Sequence, residues 1–395
     1  MLKPINYLLA NVFASDFARG IVRVALGWVV LEQHGASGLS FFILITSLGQ
    51  FLGSMLAGHV TDRNDKRKVA SIVTSISAVA ILGLAGISNE SGHSLTLVCS
   101  LSAAVHFALS IQDNATRTLI PSTVGTQSIE NANAKFITVG EVGYFVAPLL
   151  AGYWTTYFGP SGVLAIAAFV AIVGALAISA IPTSHEDRRN HAQPVTHEYP
   201  TKLNILKYRW LYLGAALAMI ANVLLVPISY VLVPIVIESN GLSAVELGYF
   251  YAAMSLGLAT VGALNAEKFG ASLGAWQMPV FVCFAALTYI GTLFFQYVVI
   301  IIICGAFAGF FLAKFEVSWN AIIQRESPPS LLGRIYAFGS WTSFAARSLG
   351  VFWVGILIAN MTPTMVVTML IAMAVTIIPI IAIVQNVLLN EPNGD

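Results

Sequence analysis

The sequence predicts an all-α membrane protein with twelve transmembrane helices in two six-helix bundles. Three observations predict it. The 395 residues are 57% hydrophobic and only 9% charged, with a mean hydropathy of +0.81. Soluble chains carry about 25% charged residues, so too few ionic groups are present to coat a water-soluble surface. Twelve mostly apolar runs follow one another along the chain. Each is near the roughly 20 residues that a helix needs to cross a hydrocarbon core of ~30 Å.

The first six runs predict spans at 7–33, 39–60, 69–88, 95–118, 132–158 and 162–182. The second six predict spans at 209–237, 244–266, 276–296, 298–321, 333–358 and 364–388. Alternating segments of about 10 residues, the mark of a transmembrane barrel, are absent. The N-terminal run is too long and too polar for a cleaved signal peptide and is expected to begin the first span. A polar stretch divides the chain into bundles at 1–182 and 209–395. This linker, 183–208, holds Glu186, Asp187, Arg188, Arg189, His185, His191 and His197. Its histidines are six residues apart and on no ordered helix, so it reads as a solvated linker, not a metal site.

Lysine and arginine positions set the orientation. With the N-terminus inside, the inside segments hold Lys3, Arg63, Lys66, Arg67, Lys68, Arg188, Arg189, Lys202, Lys207, Arg209, Lys268, Arg325 and Arg334. The outside loops hold no basic residue and are short. Both termini and the linker are therefore expected in the cytoplasm, with no external catalytic or receptor domain. The net charge of +1 argues against nucleic-acid binding. Cys99, Cys283 and Cys304 lie in apolar runs without ligand spacing, so no metal site or disulfide framework is expected.

Six basic residues remain within or at the edges of spans: Arg19, Arg23, Arg117, Lys135, Lys314 and Arg347. Acids in similar places are Asp16, Glu32, Asp113, Glu141 and Glu316. Intramembrane charge costs at least ~2.5–3.5 kcal/mol per group, so these side chains should face the bundle interior or a wet cavity. Asp16, Arg19 and Arg23 share one face of the first span, and His106, Ser110, Asp113 and Arg117 share one face of the fourth. Two readings stand for them. Acid and base can pair locally, Asp16 with Arg19 and Asp113 with Arg117. Alternatively the charges line a substrate path. Arg19, Arg23, Lys314 and Arg347 form a cationic set suited to carboxylates or phosphates. Trp28, Tyr144, Tyr230, Tyr251, Trp319 and Trp341 are candidate aromatic lining, with Tyr144 and Trp341 assigned to the site and most of the others read as interface anchors. Asp16, Asp113, Glu141 and Glu316 are candidate proton carriers, because a carboxyl in low dielectric exchanges protons near neutrality. His106 is expected to act as a hydrogen-bonding packer. Lys135 and Glu32 read as interface residues.

Between the second and third spans runs Gly58-His-Val-Thr-Asp62-Arg63-Asn-Asp65-Lys66-Arg67-Lys68. It resembles the G-x-L-a-D-R-x-G-R-K-R loop of the major facilitator superfamily, with Asp65 in place of the second glycine. The resemblance implies the two-bundle fold of that family and a gate in which Asp62 meets basic groups and a helix end, Gly58 allows close packing, and Arg63 and Arg67 are partners. Residues 117–134 and 324–334 are similar to the corresponding loops of the macrolide-efflux and enterobactin-exporter branch. The span 5 signature of drug/proton antiporters is half present, with Gly140, Gly143, Pro148 and Gly152 but Ala147 before the proline.

The function expected is secondary active transport by alternating access, coupled to protons, in a bacterial inner membrane. The chain has no G-x-x-x-x-G-K-[ST] nucleotide loop, so an ion gradient must supply the energy and no cofactor is expected. The substrate expected is an anionic or zwitterionic amphiphile such as a siderophore, exported by a monomer. Macrolide or multidrug efflux and metabolite uptake are the alternatives. A sensor or scaffold would carry a further soluble domain or a decayed gate loop, and a channel would carry a filter segment.

Overall fold

The computed structural model describes residues 4–88, 94–124, 129–181, 209–263, 277–326 and 332–390. Within these, the only regular structure is helical. Among the described residues, ten helices are long and apolar enough to cross a membrane. A shorter apolar helix, Met278–Phe294, lies among them.

The first element, α1 (Pro4–Arg63), holds two helical arms that meet at Gly35 and correspond to two expected spans. A straight helix of 60 residues would be about 90 Å long, three times the hydrocarbon thickness. Gly35 breaks it, with φ 65° and ψ −168°. A side chain at that φ would be strained, so only glycine turns the chain there cheaply. Each arm is then about 45 Å long or less, near one bilayer crossing.

Four further helices follow in this half: α2 (Lys66–Ile87), α3 (Leu95–Val124), α4 (Ile129–Phe158) and α5 (Pro160–Ser179). Asp65 caps α2, accepting from the backbone N–H groups of Arg67 and Lys68 at 3.0 and 3.5 Å. Gly159 at φ 79° and Pro160 turn α4 into α5, since proline at the first helical position gives up only an N–H that has no partner there. α1 packs on α3, α4 and α5, and α2 packs on α3 and α5.

The second half begins with α6 (Arg209–Pro227), a π turn (Ile228–Leu232) and α7 (Val233–Ser239). Pro227 and Pro234 flank the π turn and supply no N–H to the ladder. Next come α8 (Ala244–Ala263), α9 (Gln277–Thr288) with a 3₁₀ turn (Tyr289–Phe294), α10 (Val298–Glu326), α11 (Leu332–Ile358) and α12 (Pro363–Asn390). Ser243 and Glu246 form a capping box on α8: Glu246 accepts from the Ser243 N–H at 2.8 Å, and Ser243 Oγ accepts from Val245 N–H at 3.2 Å. α8 packs on α10, α6 on α11, and α9 on α10 and α12.

Between the halves, α4 packs on α8 and the second arm of α1 packs on α11. Backbones come close at α4–α8: a side chain on Gly152 would strike the Ala244 carbonyl, and one on Gly248 the Pro148 carbonyl. The pairs Gly49 and Gly53, and Gly305 and Gly309, likewise press on backbone, of α3 and α8 respectively.

The outer surface is apolar. Ile72, Ile76 and Val79 run along one face of α2, and Val79 is 69% exposed. A water-soluble helix turns such a stripe inward, whereas a helix in lipid leaves it outside. Polar groups are turned in: Asn11 of α1 donates to Thr74 of α2 at 3.2 Å and accepts from Gln112 of α3 at 2.8 Å.

Candidate functional site

The intramembrane charges fall into two groups at different places. Arg19 of α1 is buried and fully engaged. Its guanidinium pairs with Asp16 at 3.0 Å and with Asp113 of α3 at 2.9 Å, and donates to Tyr144 Oη at 2.9 Å and the Leu109 carbonyl at 3.3 Å. One cation thus holds two carboxylates and ties α1, α3 and α4 together.

One turn further along α1, Arg23 has a different environment. Its guanidinium lies over the Tyr230 ring at 4.6 Å and over Tyr144 at 5.5 Å. Arg347 of α11 lies over the same Tyr230 ring at 5.9 Å and over Phe344 at 5.5 Å. The π turn carries Tyr230. Such wide turns recur at functional sites because they rotate side chains off the regular helical face. Tyr230 stacks on Tyr251 at 5.9 Å, and Tyr251 Oη donates to the Ser229 carbonyl at 2.9 Å. Among the described residues, neither Arg23 nor Arg347 has a carboxylate within 4.0 Å. Arg347 instead donates to Gln50 Oε1 at 3.3 Å, which joins α11 to the second arm of α1.

These side chains line a cavity of about 300 Å³ at mid-helix depth between the halves. Arg23, Arg347, Glu141, Glu316, Tyr144 and Gln50 supply its polar wall. Leu225, Val226, Met254, Leu258, Leu312 and Phe315 supply an apolar one. That balance, an apolar cleft with a few convergent polar groups, is the pattern of a small-molecule site. A side chamber of about 30 Å³, room for one water, lies against Arg23, Arg347, Gln50 and His106. His106 is buried with Nδ1 at 2.9 Å from the Ser102 carbonyl. A carbonyl only accepts, so Nδ1 donates and Nε2 is the free acceptor of the neutral ring.

The expected site residues divide accordingly. Arg23, Arg347 and Tyr144 line the cavity, as do Glu141 and Glu316. Arg19, Asp16 and Asp113 form the ion cluster beside it. Lys314 is buried with Nζ 5.8 Å from the Phe310 ring, and Trp341 is 42% exposed on α11; neither lines the cavity. Of the local pairs weighed from spacing, Asp16–Arg19 forms. Asp113 pairs with Arg19, while Arg117 is exposed and lies over the Phe136 ring at 5.0 Å. Glu32 accepts from Trp28 Nε1 at 2.6 Å near the end of its span.

At the α1–α2 turn, Arg67 is clamped by Asp65 at 3.0 Å and donates to the Ile181 carbonyl, at the end of α5, at 2.8 Å. Burial pushes the Asp65 carboxyl up, but the hydrogen bonds and charge of Arg67 outweigh it and hold it below its usual value. Arg63 is exposed, and a side chain at Gly58 would meet open space. The close packing expected at Gly58 is thus absent in this conformation. The Asp62 side chain and the linker with its histidines lie outside the described residues.

Sequence spacing offers Tyr230 and Tyr251 as aromatic lining, and both line the cavity; it does not single out Gln50 or the stacking of two arginines on Tyr230. Both carried a signal. Gln50 is an uncharged polar residue in mid-span, and Tyr230 falls between two prolines seven residues apart.

The family model of the Major Facilitator Superfamily matches residues 8–351. Curated relatives include the enterobactin exporter EntS of Escherichia coli O127:H6 and of Shigella boydii serotype 18. Each is 24% identical over 360 residues, covering 89% of this chain and 84% of the relative. Among solved structures, the POT family transporter PepTSo aligns with a TM-score of 0.77 at 12% identity, over 98% of this chain and 99% of that one. A D-xylose-proton symporter aligns at 0.72 and 14% identity, over 95% and 96%. At those identities the structures speak for the fold.

Proposed function

The chain belongs to the major facilitator superfamily, and from that premise we propose that it is a proton-coupled exporter of an amphipathic small molecule bearing an anionic group. It is a membrane transporter and not an enzyme. The proposal includes twelve spans in two six-helix bundles, 1–182 and 209–395, with both termini in the cytoplasm of a bacterial inner membrane. Division of α1 at Gly35 and counting of the shorter apolar helix at 278–294 support the twelve.

One observation carries the substrate reading. Arg23 and Arg347 face one cavity, share the Tyr230 ring, and have no carboxylate within 4.0 Å among the described residues. Two guanidinium groups in a low-dielectric site repel each other, and an anion bound between them relieves that repulsion. The exporters among the relatives support outward movement of a siderophore-like molecule. The apolar wall supports the second reading, efflux of lipophilic drugs with the charges serving only as a gate.

Coupling falls to Glu141 and Glu316, which line the cavity, while Asp16 and Asp113 are committed to Arg19. Two bundles rock about the midplane site, exposing it to each side in turn. Tight α4–α8 contact at Gly152 and Gly248 near the outer ends, with open space at Gly58 near the inner end, supports a cytoplasm-facing conformation here.

The test is proton movement in proteoliposomes on addition of an anionic amphiphile such as a catecholate siderophore. Substrate-dependent proton flux that is lost in Arg23→Gln and Arg347→Gln is expected. Flux that persists in both variants overturns the anion reading. Flux driven equally by neutral macrolides favours drug efflux.

A further inference from the structure

We infer that the transported molecule is a zwitterion, carrying a cationic group as well as the anionic one, joined by an apolar body. The inference rests on the reading of this cavity as the substrate site.

The cavity wall contains four formal charges that balance: Arg23 and Arg347 against Glu141 and Glu316. They come from four helices, α1, α11, α4 and α10. The two arginines are gathered on Tyr230. The two acids make no ion pair with them within 4.0 Å among the described residues. Positive and negative groups thus share a small space without neutralising each other directly.

Each pole also has a buried atom with no hydrogen-bond partner among the described residues. At the positive pole it is Arg347 Nε, a donor; at the negative pole it is Glu141 Oε2, an acceptor. Buried polar groups are rarely left unpaired, and those that are call for an explanation. A carboxylate or phosphate accepts from Nε but offers nothing to Oε2. An ammonium group donates to Oε2 but offers nothing to Nε. Both atoms lie just beneath the cavity surface, so a molecule with both groups satisfies both once the two side chains rotate towards it.

Electrostatics favours the same choice. A simple anion placed on the arginines adds negative charge near two carboxylates, and a simple cation placed on the acids adds positive charge near two guanidiniums. A zwitterion adds no net charge and aligns its dipole with that of the site. The wall of Leu225, Val226, Met254, Leu258, Leu312 and Phe315 takes the apolar body between the poles. A cavity of about 300 Å³ limits that body to a small molecule. In the return half of the cycle a proton on Glu141 replaces the ammonium.

The test uses three forms of one probe: naphthylalanine, its N-acetyl derivative (anion only) and its methyl ester (cation only). Binding of each to the detergent-solubilised full chain is measured by titration calorimetry. Naphthylalanine is expected to bind at least about tenfold tighter than either derivative, the loss expected for one charge-assisted hydrogen bond. Glu141→Gln is expected to bring the zwitterion down to the N-acetyl form. Arg347→Gln is expected to bring it down to the methyl ester. Glu316→Gln, on a side chain exposed to the cavity, repeats the first comparison where Glu141→Gln does not fold. Equal binding of naphthylalanine and its N-acetyl form, still dependent on Arg347, overturns the zwitterion while the anion reading survives. Binding of all forms without dependence on Arg347 overturns both. Binding of none of the three overturns the class assigned here.

Discussion

Arg19 of α1 and Asp113 of α3 are joined at 2.9 Å, and the same guanidinium holds Asp16 at 3.0 Å. A buried cation with two carboxylates cannot be removed without leaving negative charge uncompensated. Arg19→Gln is therefore expected to destabilise the fold by about 3 kcal/mol, the lower end for breaking a buried pair, since the Asp113 side chain is 37% exposed. The double change Arg19→Gln with Asp113→Asn is expected to be less harmful than the two losses added together. Thermal unfolding of the detergent-solubilised protein measures both. Normal stability in Arg19→Gln with lost ligand binding would instead place Arg19 in the binding site.

Helical spacing placed Asp16, Arg19 and Arg23 on one face, and all three do point inward. Spacing along one helix says nothing about what the neighbouring helix presents. Spacing pairs Asp113 with Arg117 on its own helix, although its cation comes from α1. The apolar runs were legible because bilayer thickness fixes helix length. The break at Gly35 was legible as the gap between runs, because glycine is the residue that takes a positive φ cheaply. The π turn was hidden because it depends on how Pro227 and Pro234 disturb the ladder within an unbroken apolar run.

Arg23, one turn from Arg19, and Arg347 of α11 line the cavity and differ from Arg19 in what they do. Neither neutralises a carboxylate within 4.0 Å among the described residues, so Arg23→Gln and Arg347→Gln are expected to leave folding intact. Each is expected to weaken binding of an anionic ligand at least about tenfold, the worth of one charged hydrogen bond. Lysine is not expected to restore it, because an ammonium lacks the planar face that stacks on Tyr230. Tyr230→Phe keeps the ring and is expected to bind normally, whereas Tyr230→Leu is expected to lose affinity. Equilibrium binding on purified variants checks the series.

Asp65 stands where the family loop carries its second glycine, and it has a structural task there. It caps α2 and clamps Arg67, which reaches the end of α5. Asp65→Ala is expected to cost about 1 kcal/mol, a typical cap loss. Its carboxyl is held below the usual value in the folded state. Its contribution is thus fully present above the unfolded value near 3.8 and is lost as pH falls through the lower folded value. The difference in melting temperature between wild type and Asp65→Ala should be constant near neutrality and shrink on acidification below that range. A difference that grows on acidification would contradict the assignment.

Gly248 of α8 lies where a side chain would strike the Pro148 carbonyl of α4, and Gly152 of α4 lies in the same relation to Ala244. If α4 and α8 separate when the site turns outward, the contact is made in only one state. Gly248→Val must then weaken the closed state without touching the open one. Interiors yield little to overpacking, which costs about 1–3 kcal/mol. A shift of about 1.4 kcal/mol changes a population ratio tenfold. The variant is therefore expected to move the ensemble towards the form open at that end. Spin labels at Tyr157→Cys of α4 and Asn360→Cys after α11 report the separation, with Cys99, Cys283 and Cys304 replaced by alanine. Longer distances are expected in Gly248→Val than in the glycine parent, together with slower transport, because the return to the closed state is hindered. Gly248→Ala should give the same change in smaller measure. Unchanged distances with a lower melting temperature would make the glycine a packing residue of a rigid interface, and the rocking motion would have to pivot elsewhere.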